Sequence, residues 1–121
     1  MCWICSLNHY PDGIIAKQDY KVYKILKNDG ESMFYNHKYN ISELQPFINI
    51  NVKIALGGYI INEGYHSYSD IHTANRIARR YKMSPTFKST IIVAEFKIPK
   101  ETKFYINELG EVVSEQIIRV K

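Results

Sequence analysis

The chain lacks long apolar runs and has few cysteines. No segment approaches the roughly 20 apolar residues that a transmembrane helix needs, and the start, Met1-Cys2-Trp3-Ile4-Cys5, has no basic leader. Two cysteines in 121 residues are too few for a disulfide framework. We therefore expect a cytoplasmic protein with reduced thiols and no membrane partner.

The chain also lacks a strong excess of charge of either sign. It carries 16 basic and 12 acidic residues, a formal net charge of +4. Its densest basic group, four residues near position 80, is sparser than a nucleic-acid patch requires, so we predict no nucleic-acid partner. A small phosphate-bearing molecule would suit this mild positive charge as well as a polymer would.

What the chain does have is an apolar fraction of 45% and ten tyrosines. That fraction is enough for a folded core and excludes a disordered chain. Tyrosine is apolar along its ring and polar at its tip, so it suits both half-buried strands and recognition surfaces. The length and the absence of repeats or linkers predict a single domain, residues 1–121.

Alternation of apolar and polar residues predicts strands at 19–27, 89–98, 102–106, 111–114 and 116–120. Helical spacing begins after Ser69 or Asp70, either of which can cap a helix, and its apolar positions are Ile71, Ala74, Ile77, Ala78 and Tyr81. The predicted fold class is α+β: a twisted, mostly antiparallel sheet, split or partly closed, with one main helix at about 70–82. Ser42 could start one further helical turn before Pro46 stops it.

The segment between the apolar stretch 54–61 and the helix holds the densest group of reactive side chains. Glu63 and His66, three positions apart in what we interpret as a loop, could act as a general acid/base pair, with Ser67 as donor or nucleophile. The architectural alternative is that His66 packs at a strand–helix junction and Glu63 is solvated.

Ligand binding at the same segment is a second hypothesis. Loops that lead into helix N-termini bind anions readily, and Tyr65, His66 and Ser67 stand in that position. Lys24 and Arg76 could add positive charge. The predicted partner is then a small phosphate-bearing molecule or, through the tyrosines, another protein.

The N-terminal cysteines allow three interpretations. Cys2 and Cys5, with His9 beyond them, resemble half of a zinc site, which would need further ligands. Cys2 could also be an N-terminal nucleophile after removal of Met1. The third interpretation, that both cysteines are small apolar packing residues, is the one we favour, and we predict no metal site.

Several segments together are similar to a family of small uncharacterised proteins of bacteriophages and gut Bacteroidetes. They are residues 1–2, 20–26, 98–105, the stretch Glu63-Gly64-Tyr65-His66-Ser67-Tyr68, and residues 110–118. The resemblance runs along nearly the whole chain and implies a phage or mobile-element setting. A host protein is then a plausible partner, and the host cytoplasm the expected location.

A second resemblance is to ADP-ribosyltransferase-like domains. It is carried by the order of a strand at 22–26, a Gly–aromatic–x–Ser segment at 64–67, an apolar strand at 90–99 and a late strand bearing Glu111 or Glu115. It implies NAD as cofactor and a catalytic glutamate across a cleft from Lys24 and Ser67. The sequence departs from the family in having Lys24 in place of an arginine or histidine, and His66-Ser67-Tyr68-Ser69 in place of a Ser-Thr-Ser triplet.

Overall fold

A computed structural model describes residues 3–6, 13–27, 30–31, 37–55, 58–61, 63–83, 91–107 and 109–121, with the backbone path alone for 3–6, 54–55 and 58–60. Within these residues there is one helix, α1 (Ile71–Lys82). The strands are β1 (Trp3–Ser6), β2 (Ile14–Ile15), β3 (Tyr20–Lys27), β4 (Val52–Ala55), β5 (Gly58–Ile61), β6 (Tyr65–Tyr68), β7 (Ile91–Ile98), β8 (Lys103–Ile106), β9 (Glu111–Ser114) and β10 (Ile118–Arg119).

The strands form two separate antiparallel sheets. The small sheet has the order β1-β5-β4, and the large one has the order β10-β7-β3-β6-β9-β8-β2. The large sheet is open, with two-residue strands at both edges, and such short edges discourage pairing with other chains. The predicted α+β class, with one main helix and a mostly antiparallel sheet, is confirmed, and the sheet is split rather than closed.

The longest pairing of the large sheet joins β3 and β7 over eight residue pairs, from Tyr20 opposite Ile98 to Lys27 opposite Ile91. Both strands are rich in β-branched and aromatic residues, which pack well on a pleated surface. We call the face that carries Val22 and Leu26 the inner face, and the face that carries Tyr23 and Ile25 the outer face.

The inner face encloses the main core. Val22, Leu26 and Phe96 are fully buried there. The sheet curls over them. The evidence is that the rings of Tyr20 on β3 and Phe104 on β8 stack with centroids 5.1 Å apart, although two strands, β6 and β9, lie between β3 and β8 in the sheet. The segment 37–50 runs beside this core and adds Tyr39 to it.

Two different elements cover the outer face. Helix α1 packs Ala74 and Ala78 against Ile25, Tyr68 and Ile91. Farther along, Ile61 of the small sheet joins Ile50, Tyr105 and Val113 in a second cluster. Asp70 caps the N-terminus of α1, because its carboxylate accepts a hydrogen bond from the Thr73 N–H at 3.2 Å. Of the two predicted caps, Ser69 and Asp70, the second is therefore confirmed.

Residues 37–51 contain no helical turn, so the short helix considered at Ser42 is wrong. Ser42 has a φ of 66°, and the segment instead lies against β10, with isolated bridges from Ile41 to Arg119 and from Leu44 to Ile118. Pro46 favours this extended path because it cannot donate a helical hydrogen bond. Within the described residues, α1 is too short and too polar to span a bilayer, and no other helix is present.

Candidate functional site

Lys24 stands at the centre of the inner face, between two fully buried apolar neighbours on its strand, Val22 and Leu26. Alternation along β3 dictates this placement, since residues two apart on a strand share a face. Lysine is rarely buried without a charged partner. Among the described residues, no carboxylate forms an ion pair with Lys24, whereas Lys21 and Lys97 lie 3.9 Å and 3.3 Å from acidic oxygens.

The ammonium of Lys24 contacts two groups. It donates a hydrogen bond to the carbonyl oxygen of His66 at 2.7 Å, and it lies 5.2 Å from the centroid of the Tyr39 ring. Part of the residue's surface stays accessible, but the ammonium itself is surrounded by protein. Desolvation of the charged form therefore lowers the pKa of Lys24 from 10.5 to about 8.

The bond from Lys24 to His66 is a side-chain contact between β3 and β6. Tyr23 opposite Tyr68 is the one residue pair that joins these strands. Beyond it the Lys24 ammonium takes a carbonyl that a backbone N–H would otherwise bond. The same register, extended by one step, sets Ser67 beside Lys24 on the inner face.

Two phenols lie next to this position. Tyr39 and Tyr65 meet edge to face with ring centroids 6.5 Å apart, and the Tyr65 hydroxyl donates to the Pro46 carbonyl at 2.6 Å. Burial raises the pKa of both phenols, so both stay protonated and uncharged at neutral pH.

Three further polar side chains are buried at the same face with an atom that lacks a hydrogen-bond partner. They are the hydroxyls of Ser67 and Ser114 and the amide nitrogen of Gln45. Their residues are 2%, 0% and 0% exposed. Ser114 pairs with Tyr65 across β6 and β9, which makes it a diagonal neighbour of Ser67. A buried polar atom without a partner costs free energy. Three such atoms therefore lie at the same face as an ammonium that has no carboxylate partner among the described residues.

The structure brings together some of the residues that the sequence singled out and separates others. Lys24, Tyr65 and Ser67 share the inner face, and His66 contributes its backbone carbonyl there. Strand alternation puts the His66 side chain on the outer side. Glu63 and Arg76 are exposed, and Arg76 belongs to α1, which covers the outer face.

The interpretation of residues 63–68 as a loop is wrong. Residues Tyr65–Tyr68 form β6, an interior strand paired with β9 over four residues. Gly64, with a φ of 134°, makes the bend that precedes it. As a result Glu63 stays outside the strand while His66 and Ser67 point to opposite faces, so the three residues do not form one catalytic group.

The two late glutamates have different positions. Glu111 pairs with Tyr68, which packs on the outer face. Burial raises the pKa of Tyr68 to about 12, with smaller contributions from the neighbouring Tyr81 and then from the charge of Glu111. Glu115 is buried, and its carboxylate accepts from the Ile50 N–H at 3.2 Å. The cleft that NAD chemistry would require between a glutamate, Lys24 and Ser67 is not formed by Glu111.

Sequence reasoning missed three members of the buried polar group: Tyr39, Gln45 and Ser114. Tyr39 and Gln45 belong to a segment without periodicity, so nothing local indicated their burial. The side chain of Gln45 also bonds His37, whose Nε2 lies 2.7 Å from its Oε1. The alternation of β9 could have placed Ser114 on a buried face, but not next to Lys24.

A shallow groove lies on the outer face, and Lys24 is not among its lining residues. Its volume is about 380 Å³, and Tyr23, Ile71 and Val93 form apolar walls, with Arg119 and Lys121 at one end. Among the described residues, no group of three or more His, Cys, Asp or Glu side chains is placed to hold a metal ion. Cys2 and His9 lie outside the described residues, as does the side chain of Cys5.

No protein-family model matches this chain, and neither a curated protein nor a solved structure matches it. The two resemblances noted in the sequence therefore stay predictions. The case for function rests on the geometry around Lys24.

Proposed function

We propose that the protein binds a small anionic molecule of the phosphate-bearing kind at the inner face, with Lys24 as its cationic contact. One observation carries this proposal: a surrounded ammonium, on an apolar strand face, without a carboxylate partner among the described residues. Perturbed ionisable groups of this kind are enriched at binding and catalytic sites.

Electrostatics explains why an anion would stabilise this arrangement. Removing an ammonium from water costs several kcal/mol unless an opposite charge or hydrogen bonds compensate. The His66 carbonyl and the Tyr39 ring supply partial negative charge only. A phosphate group would supply a full one, and oxygens that accept in several directions.

The uncharged neighbours of Lys24 suit the same ligand. The hydroxyls of Ser67 and Ser114 and the amide nitrogen of Gln45 can each donate a hydrogen bond, and each lacks a protein partner in the described structure. The buried carboxylate nearby, that of Glu115, is already bonded to the backbone of Ile50. Donors therefore predominate at this face, as anion recognition requires.

Calorimetry with inorganic phosphate, AMP and NAD as separate probes tests the proposal. We compare the wild-type chain with Lys24→Met, which keeps an unbranched side chain but removes the charge. We expect at least one probe to bind and Lys24→Met to weaken it about tenfold or more, since a charge-assisted contact contributes roughly 1.5–3 kcal/mol.

Lys21→Met is the matched control, because Lys21 lies on the same strand but is exposed on the outer face. Arg76→Met removes an equal charge from α1. Both variants should bind like wild type. Equal weakening by all three variants would indicate a general effect of net charge and overturn a specific site, as would failure of every probe to bind.

A further inference from the structure

We propose that Lys24 is a reactive amine that forms an imine with an aldehyde or ketone group of a small phosphate-bearing molecule. The inference rests on the proposed function: the hydroxyls of Ser67 and Ser114 and the amide nitrogen of Gln45 would hold the phosphate at the same face, while the Lys24 nitrogen meets the carbonyl carbon. It adds the chemical class of the ligand, a carbonyl compound, and a covalent role for Lys24.

The contacts of Lys24 favour this role over a purely structural one. A lysine in an ion pair is held in its protonated, unreactive form. The described partners of the Lys24 nitrogen are uncharged: a carbonyl oxygen at 2.7 Å and a ring face at 5.2 Å. These contacts fix the position of the nitrogen without locking its proton in place. The residue as a whole is only partly buried.

The surroundings also increase the supply of the nucleophile, which is the neutral amine. With its pKa near 8, Lys24 is about half neutral at pH 8. An ordinary lysine at that pH is less than roughly one per cent neutral. Desolvated lysines of this type are the ones that enzymes use for imine chemistry.

The step balances without any oxidant or reductant. The nitrogen lone pair attacks the carbonyl carbon, the C–O π electrons move to oxygen, and proton transfer gives a carbinolamine. Protonation of its hydroxyl then expels one water as the C=N bond forms. The imine retains the ability to take up a proton, so the positive charge at this position can persist beside the phosphate.

The dehydration step needs a proton, which solvent admitted with the carbonyl compound supplies. The phenols beside Lys24 are weak acids, since burial raises the pKa of Tyr39 and Tyr65 and the Tyr65 hydroxyl already donates to the Pro46 carbonyl. The Tyr39 ring contacts the Lys24 ammonium and Tyr65 meets Tyr39 edge to face, so both phenols keep this position free of negative charge. The His37 ring, 4.6 Å from that of Tyr39, and the carboxylate of Glu115 are the other titratable groups near this face.

Reductive trapping tests the inference on the wild-type chain. The protein is incubated with pyridoxal 5′-phosphate below one equivalent near pH 8, borohydride is added, and labelled peptides are mapped by mass spectrometry. We expect labelling at Lys24 about tenfold above that at Lys27, a partly buried lysine on the same strand. Labelling spread over surface lysines with Lys24 unmodified overturns the imine.

Two further measurements separate this inference from the proposed function. Lys24→Arg keeps the charge but cannot form an imine, so it should bind inorganic phosphate and lose the label. Phosphate binding without a label at Lys24 overturns the imine and leaves the anion site standing. Labelling of Lys24 by pyridoxal and its phosphate alike, with no phosphate binding, supports the imine and overturns the anion site.

Discussion

At the scale of single residues, packing and the proposed function favour different side chains at position 24. Its neighbours on the strand are fully buried and apolar, so packing alone would favour an apolar side chain at this position. The chain instead places an ammonium there, where it bonds the His66 carbonyl. Replacing a buried charge with an apolar residue of similar size is often neutral or stabilising, so stability alone does not account for a lysine at this position, whereas the proposed anion site does.

The lowered pKa of Lys24 predicts how stability depends on pH. Between its folded pKa of about 8 and its ordinary value of 10.5 the native state binds fewer protons than the unfolded chain. The free energy of unfolding therefore rises with pH across that window. From about pH 7 to about pH 9.5, wild type should gain about 2 kcal/mol relative to Lys24→Met, measured by urea denaturation at each pH.

The range stops below pH 10 because the buried tyrosines act in the opposite direction. Burial raises the pKa of Tyr39 and Tyr68, so the unfolded chain loses those protons first and stability falls above about pH 10. Taking the difference from Lys24→Met cancels their contribution. A difference that stays flat across the window would show that the ammonium is solvated, and would remove the basis for an unusual lysine.

At the scale of elements, Gly64 determines whether β6 can pass under the small sheet. Its φ is 134°, a conformation that side chains with a Cβ rarely adopt. A Cβ at this position would also collide with the Val113 side chain, and it would lie 3.3 Å from Ile50. We expect Gly64→Ala to lower the free energy of unfolding by about 2 kcal/mol or more.

Gly110→Ala is the matched comparison for that measurement. Gly110 also has a positive φ, 79°, but the nearest atom to an added Cβ would be the Ser69 hydroxyl oxygen at 3.2 Å. The alanine would therefore strain the backbone without colliding with the backbone or the core. Its loss should be smaller, about 1 kcal/mol. Thermal unfolding of both variants ranks them, and equal losses would mean that the contact with Val113 and Ile50 adds nothing.

Elements with regular periodicity could be predicted from the sequence, and irregular ones could not. The cap at Asp70, the helix after it and the alternation of β3 and β7 are local patterns that neighbouring residues determine. Strand β6 was missed because its residues are mostly polar and follow a glycine, although Tyr65 and Ser67 do alternate with His66 and Tyr68. Its burial comes from pairing with β9, some fifty positions later, which a local pattern does not contain.

The candidate site shows the same division. Alternation along one strand is enough to place Lys24 on the face of Val22. Tyr39, Gln45 and Ser114 reach that face through long-range contacts: the Gln45 N–H bonds the Ile117 carbonyl, and Tyr65 bonds Pro46. Residues 37–50 have no secondary-structure period, so their position is set by the sheet that they cover.

At the scale of the whole molecule, the large sheet separates two environments. Its outer face is covered by α1 and the small sheet through apolar contacts. Its inner face is covered by the curl of the sheet and by segment 37–50, and holds the unpaired polar atoms of Ser67, Ser114 and Gln45. Because irregular segments open more readily than sheets and helices, segment 37–50 is the natural route by which a ligand would reach Lys24.

The outward side of that segment presents a row of exposed apolar residues. Ile41, Leu44 and Phe47 are 59%, 50% and 61% exposed. Exposed apolar groups of this kind occur at protein contact surfaces, and this row is the feature that favours a protein partner.

If the row serves contact rather than folding, Ile41→Ala should change the free energy of unfolding by no more than about 0.5 kcal/mol. Ile117→Ala, the same substitution at a fully buried position of the inner core, should cost about 2–5 kcal/mol. Urea denaturation of the two variants side by side decides the matter, because a comparable loss at Ile41 would show that the row is part of the core and unavailable to a partner.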